Sequence, residues 1–482
     1  MAEGNWLAQP RARRDPWEGR GPREGHDPWG GRGPWAWREP RSARDVRDVF
    51  GRAYRAGPSD RALLGHSRAL VAAAAWGAML AVSCTQYGYG ALTARAGLNP
   101  QAAAWGFAAW VCCQSATSAA LPWLRRSLRL TPPKTVTIGA AACAGGLLAL
   151  GWAANPAAAL AIYAIAAGVG AGLVYGTCVA VVSAWYPDRP TRVAMTSGAF
   201  GYGAVPVIAL VAGAREGRSA FGALAWAVLL VAVTCAPILR EPPDRWWPAA
   251  LDPRRWAIDK RINPALRLHP PVAREHSPAE VLRSGHAWIL AGIAFGTCGV
   301  ALFDTGWLYP FGISSGWGVR GAALGLGAFA AGSGGIRAVA ALAADRIGRM
   351  RVIVAGAGGG AVAQLLLAAA VEHRDLPLFW LAAAGAGAAA GTWYALLPGL
   401  VRGSFGDRPG LPNLWVIYPA KAAGALAGAV GAGWLSAAAG VPPALIASAA
   451  LALGACVLVP WLRRPGLPKT LPDIAATDRG AT

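Results

Sequence analysis

Two cations stand where the surrounding sequence is apolar. Arg337 lies in Gly334-Gly335-Ile336-Arg337-Ala338-Val339, and Lys421 in Ile417-Tyr418-Pro419-Ala420-Lys421-Ala422-Ala423-Gly424. In a membrane helix such a charge costs about 2.5 to 3.5 kcal/mol on insertion scales, so it must face a cavity or a partner. Acidic partners are scarce, and Asp304 is the one carboxylate well inside an apolar stretch. Two cations with one candidate counter-ion leave a positive site, for which the fitting ligand is a small organic anion. The structural alternatives are snorkelling side chains or an ion pair at a helix interface. A lysine stem of roughly 6 Å does not reach water from mid-membrane depth.

Groups suited to such an anion accompany the cations: Gln86 and Tyr87, Tyr175, Tyr202, Trp393 and Tyr394, and Tyr418 one turn before Lys421. A tyrosine offers a hydroxyl donor and an apolar wall, though for any one of these taken alone ordinary packing is the favoured reading. Asp304 is a coupling candidate that takes up a proton or pairs with a cationic site residue; the plain alternative is a helix end, with Gly306 following. Ala344-Asp345-Arg346-Ile347-Gly348-Arg349-Met350-Arg351 reads as a gating loop. Asp345 would sit at a helix end, with Arg346 and Arg349 binding neighbouring helix ends. The matching connector of the first half, Trp123 to Arg129, lacks the Asp, so the latch there is altered or absent. The eight cysteines lie in apolar stretches without paired metal-ligand spacing, and no nucleophile/base pair is visible. The sequence therefore points to neither an enzyme nor a bound cofactor.

Long apolar elements must position these groups. Charged residues make up 14% of the 482, against about 25% in soluble domains. About twelve stretches of roughly 20 apolar residues recur, each long enough to span a bilayer, and lipid requires them to be helices. They begin near Ala69, Ala102, Thr135, Ala157, Val193, Ala220, Ala287, Val319, Val352, Leu376, Asn413 and Pro443. The expected fold is an all-α polytopic membrane protein. The net charge of +21 could suggest nucleic acid, but its placement does not. Connectors holding Arg125, Arg126, Arg129 and Lys134, then Arg189 and Arg192, Arg346 to Arg351, and Arg402 and Arg408 alternate with poor ones. The rich side is expected to be cytoplasmic, with both termini inside. Arg337 lies eight residues before Asp345 and Lys421 eight after Asn413. Both then lie roughly 12 Å in from one boundary, at a shared depth.

Residues 1–67 read as a disordered basic tail, with Asp15 to Pro22 returning as Asp27 to Pro34. The tail could lie on lipid, be inert, or reflect a start codon placed upstream of the real one. A first bundle follows over 68–240, a polar linker over 241–285, a second bundle over 286–462 and a tail over 463–482. Ser277-Pro278-Ala279-Glu280 is a helix-start signature. The halves repeat: Tyr175 maps to Tyr394 and Asp188-Arg189-Pro190 to Asp407-Arg408-Pro409 at one offset, 394 − 175 = 407 − 188 = 219. A parallel repeat of two six-helix halves is the architecture of major facilitator transporters.

Several segments resemble the oxalate:formate antiporter family of major facilitators. They are Tyr163 to Tyr175 with its Gly168, Gly170 and Gly172, Trp185 to Arg189, Gly198 to Ala204, Gln86-Tyr87-x-Tyr89-Gly90 and Ser277 to Arg283. The resemblance runs in patches from about Trp76 to Ala432. It implies that a dicarboxylate is held by Arg337 and Lys421, with an aromatic cage on Gln86, Tyr87, Tyr175, Tyr202, Tyr394 and Tyr418; Trp393 is a looser match. It implies a secondary transporter working by alternating access as an exchanger, monomeric, in the inner or plasma membrane, with a small organic anion and the lipid bilayer as its partners. A proton-coupled monocarboxylate or other small-solute transporter is the nearest alternative, and a non-transporting membrane sensor the alternative from another class.

Overall fold

The computed structural model describes residues 44–50, 52–189, 191–214, 217–269, 272, 276–406 and 412–462. Among these, twelve long helical runs follow one another. The first half holds α1 (Arg68–Val82, Cys84–Tyr87 and Tyr89–Arg95), α2 (Pro100–Ser127), α3 (Pro132–Trp152), α4 (Pro156–Trp185), α5 (Thr191–Tyr202 and Ala204–Gly213) and α6 (Gly217–Cys235). The second holds α7 (Gly285–Ser314), α8 (Gly318–Ile347), α9 (Arg349–His373), α10 (Leu376–Phe405), α11 (Pro412–Ile417, Pro419–Ala425, a π-turn Leu426–Gly431, and Ala432–Ala439) and α12 (Val441–Leu458). Ten of the runs are long and apolar enough to cross a membrane. The other two, α2 and α10, match them in length but dilute their apolarity with Gly, Gln, Ser, Trp and Tyr.

The helices start and stop for local reasons. Asn99 and Asn155 each accept two backbone N–H groups at the starts of α2 and α4, with Pro100 and Pro156 as first residues. Gly348 and Gly440 take φ of +95° and +93° where α8 and α11 end, a conformation that side chains disfavour. The expected capping box before α7 is present: Ser277 Oγ accepts from the Glu280 N–H, and Glu280 Oε2 from the Ser277 N–H.

The repeat is visible as packing. A Cβ on Gly168 or Gly172 of α4 would collide with the carbonyls of Trp110 and Gln114 of α2. On α10, Gly387 and Gly391 meet the carbonyls of Phe329 and Ser333 of α8 in the same way. All four positions move by one offset: 387 − 168 = 391 − 172 = 329 − 110 = 333 − 114 = 219. Small residues thus bring the same helix pair to backbone contact in both halves. Between the halves, Gly198 and Gly201 of α5 lie on Gly334 of α8, and Gly90 of α1 lies against Gly306 of α7.

Three helices break along their length, two of them where the site lies. α1 breaks at Ser83 and Gly88, on either side of Gln86 and Tyr87, α5 breaks at Gly203, and α11 restarts after Tyr418 just before Lys421. The π-turn of α11 follows directly, a device that recurs at functional sites.

One expectation is corrected. Disorder through residue 67 does not describe 44–64. β1 (Arg44–Arg47) pairs antiparallel with β2 (Ala53–Ala56), and β2 pairs parallel with β3 (Trp246–Trp247) of the linker. Asp48 closes the hairpin by accepting the Phe50 and Arg52 N–H groups and Arg52 Nε. A short helix, Asp60–Leu64, leads into α1. Trp246 donates its indole N–H to the Pro58 carbonyl and packs on Trp185 at 4.8 Å. The tail's composition does not show this, because the third strand lies about 190 residues away. The repeated segment within 1–43, the tail 463–482 and Asp407 to Pro409 lie outside the described residues.

Candidate functional site

Arg337 and Lys421 both end in the middle of the bundle, 1% and 4% exposed. Arg337 Nη1 donates to the Ser197 carbonyl of α5 at 2.6 Å, Nη2 to Tyr87 Oη of α1 at 2.9 Å, and Nε to the Ser333 carbonyl at 3.2 Å. Tyr87 Oη and Ser333 Oγ are 2.9 Å apart. Since Tyr87 accepts from Arg337, its own proton is available for Ser333. Lys421 Nζ donates to Gln114 Oε1 of α2 at 2.8 Å and to Gln86 Oε1 of α1 at 3.4 Å. Gln114 in turn donates to Tyr418 Oη at 3.5 Å.

The acceptors around both cations are neutral. Among the described residues no carboxylate oxygen lies within 4.0 Å of the charged nitrogens of Arg337 or Lys421. The Tyr394 ring serves both, its centre 5.3 Å from Arg337 Cζ and 5.7 Å from Lys421 Nζ. The Tyr418 ring lies 5.4 Å from Lys421 Nζ. Tyr394 Oη and Trp393 Nε1 are buried and turned toward Cys298 of α7. Two desolvated cations on neutral acceptors beside an aromatic wall are elements that suit an anion.

The structure brings together Arg337, Lys421, Gln86, Tyr87, Tyr394 and Tyr418, with Tyr175 on the wall of a cleft that also touches Tyr394. Two expected residues fall elsewhere. Tyr202 is 41% exposed, and its ring lies over Gly334 and Gly335 on the outside of α8. The Gly198/Gly201 face of α5 packs on α8, which leaves the neighbouring Tyr202 on the rim rather than in the cage. Asp304 does not meet the cations either. Both its carboxylate oxygens accept from Gln364 Nε2 of α9, at 2.9 and 2.8 Å. It is not a helix end, since α7 runs on to Ser314 and Asp304 is buried. Its side of α7 faces α9 within the second half.

At the basic end of the bundle, Asp345, Arg349 and Arg402 line the cleft with Ser183. Arg349 Nη1 donates to the Gly399 carbonyl of α10 at 2.8 Å and lies along Gly399 and Gly403, whose missing side chains make room for it. Arg346 is exposed and does not line the cleft. In the first half a different latch appears: Arg125 is held by Glu241 through two bonds of 2.6 and 2.8 Å.

Gln114, Ser197, Ser333 and Gln364 were not singled out by sequence. Uncharged amides inside apolar stretches are few, and a search for them would have found Gln114 and Gln364. The Ser197 contact is made by a backbone carbonyl and has no side-chain signature.

A helical bundle that spans the membrane many times, built as two copies around a buried polar centre, defines a membrane transporter rather than an enzyme. The family model of the Major Facilitator Superfamily matches residues 69–411, and the chain belongs to that superfamily. No curated protein sequence matched. Among solved structures, the chain is similar to the D-xylose–proton symporter, at 15% identity, TM-score 0.59, with 81% of this chain and 96% of that one covered. It is similar to a double-Trp mutant of XylE at 15% identity, TM-score 0.57, covering 83% and 96%. It is also similar to a mutant of the nucleoside transporter NupG at 11% identity, TM-score 0.56, covering 82% and 98%. At these identities the likeness is one of fold.

Proposed function

We propose that this transporter carries small carboxylate anions, of the oxalate or formate kind, and works as an exchanger. One observation carries the reading: Arg337 and Lys421 are buried with neutral acceptors and, among the described residues, no carboxylate within ion-pair reach. A neutral solute such as a sugar would leave both charges uncompensated, whereas a carboxylate would replace neutral acceptors with charge-assisted bonds about twice as strong. The resemblance of the α4–α5 segment and of Gln86-Tyr87 to the oxalate:formate antiporters supports the same substrate class.

Exchange follows from the same charges. Carrying two uncompensated cations through an occluded state costs several kcal/mol per charge, and a bound anion removes that barrier. In this reading residues 68–240 and 286–462 are the two moving bundles, joined by 241–285. The basic end and both termini face the cytoplasm of a plasma-membrane monomer, in keeping with the arginine-rich connectors.

Two experiments test it. Purified protein should be stabilised in a thermal-shift series by small carboxylates and not by sugars or nucleosides, since a ligand that binds the folded state raises its stability. Liposomes preloaded with the stabilising anion should take up labelled anion much faster than empty ones. No stabilisation by any carboxylate would refute the substrate class, and equal uptake rates would refute exchange.

A further inference from the structure

The cleft at the basic end runs toward the same centre. It lies between α4, α5, α8 and α10. Tyr175 and Tyr394 line its deep part; Ser183, Asp345, Arg349 and Arg402 lie near the helix ends. Tyr175 is ten residues before Trp185 at the end of α4, roughly 15 Å deeper than the mouth. Through the Tyr394 ring the cleft stops one side chain short of Arg337 and Lys421.

A hydrogen bond spans the mouth. Arg402 Nη2 of α10 donates to Ser183 Oγ of α4 at 2.7 Å. The two positions are repeat copies of each other, since 402 − 183 = 219. They therefore meet across the axis that relates the halves, and an opening of the halves at this end must break their bond.

We propose that Arg402 is the gate of this mouth and the first landing point of the anion, held on Ser183 while the path is shut and passed to the substrate carboxylate as it opens. The proposal rests on the anion reading above. Its physical basis is the difference between the two acceptors. A guanidinium binds a carboxylate through two parallel charge-assisted bonds, and a neutral hydroxyl through one weaker bond. An arriving anion thus favours release of Ser183, while a neutral solute has no such leverage. Arg349, fixed on Gly399 in the same cleft, stands beside the carboxylate of Asp345, which leaves Arg402 as the charge in excess among the described lining residues. From Arg402 the path leads past Tyr175 and Tyr394 to the two buried cations.

The test uses Ser183→Asp, which places a fixed carboxylate opposite Arg402, and Ser183→Ala, which removes the acceptor. Access is read without substrate, by labelling Ala341→Cys on the cleft wall with a membrane-impermeant maleimide, against the background of the eight native cysteines. Labelling should slow by about tenfold or more in Ser183→Asp and quicken in Ser183→Ala. Exchange of the stabilising carboxylate should slow by a similar factor in Ser183→Asp, with the carboxylate thermal shift retained. Labelling and exchange equal to the parent in both variants would overturn the gate. Absence of any carboxylate thermal shift in the unmodified protein would instead overturn the anion reading on which the landing role depends.

Discussion

Gln114 and Ser333 hold the same place in the two halves, 333 − 114 = 219, and each lies against the corresponding glycine, Gly172 or Gly391. Each also serves a cation: Gln114 Oε1 accepts from Lys421, and the Ser333 carbonyl from Arg337. The acceptors that hold the two charges are neutral on both sides of the repeat, and this leaves the centre positive.

Gln114→Glu should therefore mimic the substrate. A carboxylate 2.8 Å from Lys421 Nζ would neutralise it. Carboxylate affinity is expected to fall by at least about tenfold, from the loss of one charge-assisted partner worth about 1.5 to 3 kcal/mol, while the unliganded protein melts no lower than the parent. Unchanged affinity in a binding titration would show that Lys421 does not face the substrate.

Arg337→Gln should weaken carboxylate binding by about 30-fold or more, the lower end of the cost of truncating a buried charge partner, with expression retained. Arg337→Lys should fail nearly as badly. One ammonium on a flexible stem cannot reproduce a planar fork that reaches Ser197 O and Tyr87 Oη together. Parent-like affinity in the lysine variant would sink the fork argument.

Asp304 should affect stability rather than selectivity. Asp304→Asn is expected to keep the parent's preference between monoanions and dianions at every pH, because Asp304 bonds to Gln364 and not to the cations. Asp304→Leu leaves the buried Gln364 amide unpartnered and should cost about 1 to 3 kcal/mol, seen as a lower melting temperature. A pH-dependent shift of selectivity in Asp304→Asn would contradict this placement.

The ion pair of Arg68 with Asp188 holds the start of α1 to the end of α4. Arg68 donates to both Asp188 oxygens, at 2.7 and 3.0 Å, and lies over the rings of Tyr186 and Trp246. Asp188→Asn is expected to destabilise the protein by about 3 kcal/mol, as breaking a buried pair does, and to loosen the hairpin 44–56 through Trp246. Limited proteolysis within 44–56 should accelerate; parent-like resistance and melting would refute the anchoring role.

Much of this was legible in the chain itself. The apolar stretches, the basic connectors, the offset of 219 and the missing counter-ions of Arg337 and Lys421 are each set by residue type and spacing. So is the capping box at Ser277 and Glu280, because its partners are three residues apart. Lipid enforces helices wherever a stretch is long and apolar enough, so local composition determines the membrane architecture. What only the tertiary structure decided is which face each residue takes and whom it meets. Helix breaks at Gly88, Gly203 and Tyr418 reset the phase of α1, α5 and α11, and the glycine contacts of α5 on α8 then turn Tyr202 outward. Gln114 with Lys421, Asp304 with Gln364, Arg402 with Ser183 and β2 with β3 join residues 60 to more than 300 apart. Periodicity and capping act over a few residues along the chain, whereas these contacts depend on packing that closes only when the helices are assembled.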